Sequence, residues 1–77
     1  MSIHIQIKLF ASLLDKLPEN ADNFPVQDGT TVASLTDLLG IDPKDAKLIF
    51  INGRKGTLDS ILREGDRVGL FPPVGGG

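Results

Sequence analysis

The fold is indicated first by residues 3–10 of this 77-residue chain, which read IHIQIKLF. The odd-numbered positions are apolar and positions 4, 6 and 8 are polar. A period of two is typical of a β-strand with one buried face. We predict that the isoleucines point into the core, and Phe10 then falls on the outward side of the same strand.

A second patterned strand lies near the C-terminal end, where residues 67–71 read RVGLF. Its valine and leucine share one face, whereas Arg67 and Phe71 share the other. Because both strands have a clean apolar face, we place them side by side in the centre of a sheet. Phe10 and Phe71 are then expected to lie close together on the exposed face of that sheet.

Residues 31–39 change to a helical period. Apolar side chains spaced by three, three and one predict one face of a helix, formed by Val32, Leu35, Leu38 and Leu39. Thr30 or Thr31 is placed to act as the N-cap, with its side-chain oxygen accepting an amide hydrogen bond. Gly40 stands where a C-cap glycine is expected.

The remaining segments predict shorter elements. Phe24-Pro25-Val26 is typical of an edge strand, and the turn at Asp28-Gly29 makes residues 1–29 a wide hairpin. Residues 47–51, KLIFI, predict a strand that is buried on both faces or contacts a partner on one. A further apolar cluster is formed by Leu58, Ile61 and Leu62. The predicted fold class is α+β: a mixed sheet of four to five strands with one main helix packed on one face.

Composition limits the classes of function. The net charge is −2 and there is no cysteine, so disulfides, thiol nucleophiles and zinc–thiolate sites are excluded. No surplus of cations attracts phosphate backbones, and we expect no nucleic-acid partner. No apolar run approaches the roughly 18 residues of a membrane span. The N-terminus also lacks a signal-peptide pattern, so a cytoplasmic location without a membrane partner is expected.

No residues in the body of the chain form a catalytic motif. His4 is the only histidine and lies on the outward side of the first strand, where a solvated residue is a simpler interpretation than a metal ligand. The serines have no histidine base at a motif spacing. The basic segment Gly53-Arg54-Lys55-Gly56 is interpreted as a hairpin turn rather than a phosphate loop. We predict no metal site and no enzyme active site on this chain alone.

The C-terminal residues 72–77, PPVGGG, differ from the domain predicted over residues 1–71. Consecutive prolines end a strand and favour an extended backbone, and glycines make a slim, flexible tail. A frayed terminus is the alternative, but it requires no rigid Pro-Pro spacer. The reactive group that such a tail offers is the Gly77 carboxylate. Because a carboxylate is a poor electrophile, a partner enzyme would have to activate it, for example as an acyl-adenylate.

Several segments together carry a family resemblance: LFA at 9–11, GTTV at 29–32, FING at 50–53, EGDRV at 64–68 and FPPVGGG at 71–77. The turn motifs are individually weak signals, whereas the terminal motif is specific. Along essentially its whole length the chain resembles the MoaD/ThiS family of sulfur carriers, which are ubiquitin-like β-grasp proteins. Phe-Pro-Pro-Val is more similar to the small subunit of molybdopterin synthase than to the thiamine carrier.

The resemblance implies a sulfur carrier that binds no cofactor and is not itself an enzyme. A MoeB/ThiF-like adenylyltransferase would use ATP to adenylate Gly77, which follows Gly76 in the terminal diglycine. A sulfur donor such as a cysteine desulfurase would then supply the sulfur of a thiocarboxylate. The acceptor would be the molybdopterin synthase large subunit, MoaE-like, or another sulfur acceptor enzyme. Partner contacts are expected from Phe10, Phe71, Pro72, Pro73, Val74 and Gly75.

Three alternatives stay open. The same activation of Gly77 would serve a ubiquitin-like modifier that is joined to lysines of target proteins. The sulfur would otherwise serve thiamine or cysteine biosynthesis, or the chain is a plain β-grasp binding subunit without tail chemistry. Two positions depart from the family pattern: Leu14-Asp15 stands near the place where many members carry Arg-Glu, and Gly75 precedes the diglycine in place of a larger residue.

Overall fold

Residues 1–73 are described by the computed structural model, and their regular structure consists of five strands, one α-helix and three short 3₁₀ helices. The strands are β1 (Ser2–Leu9), β2 (Phe24–Gln27), β3 (Leu48–Ile51), β4 (Arg54–Lys55) and β5 (Arg67–Phe71), and the helix is α1 (Val32–Leu39). The 3₁₀ helices are Ala11–Lys16, Ala21–Asn23 and Pro43–Asp45. Val74, Gly75, Gly76 and Gly77 lie outside the described residues, so the roles predicted for them remain predictions.

The five strands form one mixed sheet in the order β2-β1-β5-β3-β4. β1 is antiparallel to β2 and parallel to β5, whereas β3 is antiparallel to both β5 and β4. The predicted adjacency of the first and last patterned strands is confirmed. The predicted hairpin is also confirmed, with Pro25 in an edge strand where it removes no central ladder bond. Because β1 and β5 are parallel, their C-terminal ends meet at the same edge of the sheet.

One face of the sheet carries the hydrophobic core. Buried and exposed residues alternate along the whole of β1, as the period of two predicts. The inward side chains of β1 form one cluster with Val32 and Leu35 of α1 and with Val68 and Leu70 of β5. The other face of the sheet has no helix against it in the described part of the chain, and this open face is where side chains remain free for other contacts.

α1 begins and ends at the residues that the sequence predicts. The Thr31 side chain accepts a hydrogen bond from the backbone amide of Ser34 at 3.2 Å, which satisfies a free amide of the first turn. Gly40 closes the helix with a φ of 74°, a left-handed value at which a Cβ atom would be strained. The predicted caps are therefore confirmed.

One residue of the predicted apolar helix face, Leu38, and one of the predicted apolar cluster, Ile61, are exposed. Leu38 is 63% exposed, and Thr36 is fully buried in α1, because the helical period carries Leu38 away from the stripe that contains Val32. Ile61 is 55% exposed, whereas Leu62 is fully buried. Ile61 forms a β-bridge with Thr31, and in such extended backbone successive side chains point in opposite directions.

Candidate functional site

Two phenylalanine rings stack where the central strands end. The ring centroids of Phe10 and Phe71 are 4.1 Å apart, and the ring planes differ by 2°. Leu9 of β1 is paired with Leu70 of β5, so the residues that follow them both turn to the open face. The proximity of the two rings is what strand alternation predicts, whereas their role in binding a partner remains a prediction.

A third ring, Phe50, extends this pair along the open face. It meets Phe71 edge-on, with ring centroids 5.7 Å apart and an interplanar angle of 84°. Its strand β3 is not buried on both faces, because Ile49 points into the core while Phe50 is half-buried on the opposite side. Sequence reasoning missed Phe50 as a site residue, although its position between two isoleucines was a signal for it. The three rings, Phe10, Phe50 and Phe71, are called the aromatic cluster below.

A glycine forms the floor of the aromatic cluster. Gly69 is paired with Lys8 on one side and with Phe50 on the other. A Cβ atom at Gly69 would lie 3.7 Å from the Phe10 ring and 3.9 Å from the Phe71 ring. These are ordinary contacts, so a methyl group fits, but a longer side chain would enter the space between the rings. An open groove of about 480 Å³ results, lined by the cluster, Lys8, Asn52, Gly53, Arg67 and Gly69.

The backbone makes a sharp turn immediately after Phe10. Ala11 has a φ of 54°, a left-handed conformation that costs an L-residue with a Cβ atom about 1–2 kcal/mol. The amide of Leu13 then donates to the carbonyl of Phe10 at 3.1 Å, and the Leu13 side chain is buried in the core. The buried leucine thus holds the turn that directs Phe10 onto Phe71.

A pair of hydrogen-bonded side chains holds the other rim of the groove. The Asn52 side-chain amide donates to Asp66 Oδ1 at 2.9 Å, and its oxygen accepts from the Arg67 amide at 3.0 Å. The second oxygen of Asp66 accepts from the Arg63 amide at 2.9 Å. The Asn52-Gly53 turn is therefore tied to the loop that precedes β5. The Asn-Gly turn and the Gly-Asp turn, which lie apart in the sequence, are therefore joined by hydrogen bonds in the fold.

The C-terminal segment leaves the domain beside the aromatic cluster. The carbonyl of Phe71 accepts from the amide of Lys47 at 2.9 Å, which is the last such tie to the sheet among the described residues. Pro72 is partly buried and Pro73 is exposed. The chain therefore passes from the cluster directly into the Pro-Pro pair, after which Val74–Gly77 lie outside the described residues.

Elsewhere the described surface has a larger open groove of about 790 Å³, but it contains none of the rings and is lined mainly by polar and charged residues such as Arg54, Lys55 and Arg63. The His4 amide donates to Glu64 Oε1 at 3.0 Å, and His4 Nδ1 lies 4.0 Å from the same oxygen, so this histidine forms a surface pair. Within residues 1–73 no three His, Cys, Asp or Glu residues are grouped to hold a metal ion. No helix in that range is both long and apolar enough to cross a bilayer.

The family can be stated from a direct comparison. The model of the ThiS family matches residues 7–77. Because this match covers nearly the whole chain, including the terminal glycines, the chain belongs to the ThiS family. The resemblance inferred from the sequence motifs is confirmed at this level.

Solved structures have the same fold. The Haloferax volcanii HVO 2177 protein aligns with a TM-score of 0.76 at 22% identity, covering 99% of this chain and 88% of that chain. H. volcanii small archaeal modifier protein 1 gives a TM-score of 0.69 at 25% identity, with 94% and 99% covered. A putative molybdopterin converting factor subunit 1 from Pyrococcus furiosus gives 0.60 at 26% identity, with 94% and 99% covered. The fold is the ubiquitin-like β-grasp. A comparison with curated proteins gives no significant match.

Proposed function

We propose that this chain is a sulfur carrier, with Gly77 as its C-terminal residue and the carboxylate of Gly77 as the carrying group. The observation that carries the proposal is the C-terminal motif PPVGGG. It begins directly after β5, next to the aromatic cluster, and the chain belongs to the ThiS family. The absence of cysteine from the sequence also supports it, because no side-chain thiol is available to hold sulfur. The chain is a substrate and subunit of other enzymes and catalyses no step itself.

The chemistry proceeds in three steps on a partner enzyme. A carboxylate oxygen of Gly77 attacks the α-phosphorus of ATP, and pyrophosphate leaves. A persulfide on the sulfur donor then attacks the acyl carbon and displaces AMP, which gives an acyl disulfide. A second thiol attacks the donor's sulfur in that disulfide, forms a new disulfide with it and releases the thiocarboxylate of Gly77. Gly76 and Gly77 lack side chains, so the end of the tail fits a channel too narrow for a Cβ atom. ATP is bound by the adenylyltransferase and not by this chain.

Molybdopterin synthesis is the pathway that we propose for the sulfur. The Phe-Pro-Pro-Val motif at residues 71–74 supports this assignment, and so does the likeness to the P. furiosus putative molybdopterin converting factor subunit. The acceptor is then the large subunit of molybdopterin synthase. Docking through Phe10, Phe71, Pro72 and Pro73 places the following residues, Val74 and Gly75, at the entrance of the acceptor's active site.

Intact-protein mass spectrometry tests the proposal. The chain is incubated with an adenylyltransferase from the same organism, ATP and a cysteine desulfurase with cysteine. We expect the mass to rise by the difference between a sulfur and an oxygen atom, and tandem fragmentation to place the change on Gly77. An unchanged mass in the presence of adenylate formation would contradict sulfur transfer, and an unchanged mass without adenylate formation would contradict activation.

A protein modifier is the second candidate, favoured by the likeness to H. volcanii small archaeal modifier protein 1. The same adenylate of Gly77 would then be attacked by a lysine amine of a target protein, which forms an isopeptide bond and releases AMP. A tagged chain expressed in its own organism distinguishes the two. Peptides with the terminal residues linked to a lysine support the modifier, and their absence together with a thiocarboxylate on the free chain supports the carrier.

A further inference from the structure

The turn between β3 and β4 contains a sequence that favours spontaneous deamidation. The chain has three asparagines, and of these Asn52 alone is followed by a glycine. In deamidation the backbone nitrogen of the following residue attacks the side-chain amide carbon of the asparagine. Gly53 leaves that nitrogen unhindered because glycine has no Cβ atom. Asn52 and Gly53 are both exposed to water, so the chemistry has its second reactant at hand.

The backbone of the turn restrains this reaction. Asn52 and Gly53 have φ values of 54° and 80°, as the two central residues of a tight hairpin turn require. The flanking residues Ile51 and Arg54 are paired with each other across the turn, which limits rotation of the peptide bond between them. Ring closure needs rotation about the Cα–C and Cα–Cβ bonds of Asn52, so it is opposed as long as this pairing holds.

The Asn52 side chain is restrained as well. Its Nδ2 donates to Asp66 Oδ1 at 2.9 Å, and its Oδ1 accepts from the Arg67 amide at 3.0 Å. Asp66 is itself held, because its second carboxylate oxygen accepts from the Arg63 amide at 2.9 Å. The two bonds made by the Asn52 side chain are called the Asn52 link below. They hold the amide group that must react against the start of β5.

We propose that Asn52 is a site of deamidation, and that opening of the Asn52 link controls the rate of the reaction. The Gly53 nitrogen forms a bond to Cγ of Asn52 and gives up its proton to water. The Cγ–Nδ2 bond breaks, ammonia leaves, and a five-membered succinimide ring remains. Water then opens either carbonyl of the ring, which gives aspartate or isoaspartate at position 52. The net reaction consumes one water and releases one ammonia.

Either product removes the Asn52 link permanently. Aspartate at this position has no Nδ2 donor, and its carboxylate lies beside that of Asp66, so the two like charges repel each other. Isoaspartate in addition adds a methylene group to the main chain of the turn, which disturbs the pairing of Ile51 with Arg54. Chains that have reacted are therefore less stable than new ones. We expect Asn52→Asp, which reproduces one product, to raise the equilibrium constant of unfolding about tenfold.

The rate of deamidation is compared in wild type, Asp66→Ala and Asp42→Ala. Each variant loses one carboxylate, but Asp42 accepts from the Lys44 amide at 3.0 Å and shares no described hydrogen bond with Asn52. The proteins are incubated at mildly alkaline pH while circular dichroism confirms that they are folded, and peptide mapping measures the reacted fraction at Asn52. We expect Asp66→Ala to react about tenfold faster than the wild type, because the link opens more often. Asp42→Ala is expected to stay within about twofold.

A second comparison needs no variant. Wild-type chain in concentrated urea is expected to react at Asn52 at least about tenfold faster than the folded chain. Equal rates in the folded and unfolded chain, or no reaction in either, would overturn the proposal. So would slower reaction of Asp66→Ala, which would mean that Asp66 promotes the attack, or equal acceleration of both variants, which would point to lost charge alone. If Asp66→Ala does not stay folded, the wild-type comparison decides. Unchanged stability of Asn52→Asp would overturn the proposed consequence.

Discussion

Asn52 performs two tasks that few residue types combine. Its backbone adopts a φ of 54° at the turn between β3 and β4, a left-handed conformation that asparagine tolerates better than most residues. Its side chain also donates to Asp66 and accepts from the Arg67 amide. Alanine removes both properties, whereas glycine keeps the conformational freedom and removes the hydrogen bonds alone.

We expect Asn52→Ala to lower the free energy of unfolding by about 2–3 kcal/mol, from left-handed strain and two lost hydrogen bonds. Asn52→Gly should lower it by about 1–2 kcal/mol, because the lost bonds are solvent-exposed and no strain is added. Urea unfolding of the two variants and the wild type measures both values. Equal stability of the two variants would contradict the expected cost of placing alanine in a left-handed backbone at this position.

The sequence indicated this site only in part. An Asn-Gly pair predicts a tight turn from local chemistry, and that prediction is confirmed. The link to Asp66 spans 14 residues and depends on the register of β3 against β5, which no local pattern specifies. Phe50 was missed for the same reason, since its exposure follows from which face the helix covers.

At the scale of the element, the caps of α1 fix where the helix begins and ends, and a row of buried side chains fixes which face it turns to the sheet. A helix turns by about 100° per residue, so Leu38 lies about 120° away from Val32 while Leu35 and Thr36 lie within about 60°. The spacing of apolar residues in the sequence places Leu38 on the apolar face of the helix and leaves out Thr36, because threonine is polar. The Thr36 hydroxyl is nevertheless satisfied by the Ala33 carbonyl at 2.7 Å, and its burial therefore leaves no unpaired polar atom.

A matched pair of truncations tests this alignment. Leu35 is fully buried and Leu38 is 63% exposed in the same helix. We expect Leu35→Ala to lower the free energy of unfolding by about 2–5 kcal/mol, since it removes buried methyl groups and leaves a cavity. Leu38→Ala should change it by less than about 0.5 kcal/mol. Thermal unfolding followed by circular dichroism measures both free energies of unfolding. A large loss of stability in Leu38→Ala would contradict the exposed position of Leu38.

At the scale of the whole molecule, the fold separates stability from the proposed chemistry. The buried cluster reaches Leu70 in β5, and the last described backbone tie to the sheet is made by the carbonyl of Phe71. The open face with its aromatic cluster lies on the side of the sheet away from the buried cluster and α1. Such a division allows a partner to cover the open face while the core stays intact.

This division predicts the effect of removing Gly76 and Gly77. The free energy of unfolding should change by less than about 0.5 kcal/mol, because no residue of the buried cluster is removed. Sulfur loading by the adenylyltransferase and the desulfurase should be abolished, since a carboxylate two residues earlier falls short of the site that activates Gly77. Urea unfolding and intact mass are measured on the same sample, so a loss of loading cannot be confused with a loss of structure.

Gly75→Ala supplies the control for that truncation. It keeps the terminal diglycine and its carboxylate, and the family commonly has a larger residue at this place, so we expect sulfur loading to continue. Retained biological function in the truncated chain would favour the plain binding subunit, in which the open face of the sheet acts without tail chemistry. Loss of function in the truncated chain alone, with folding and binding to the adenylyltransferase preserved, ties the function to the last two glycines.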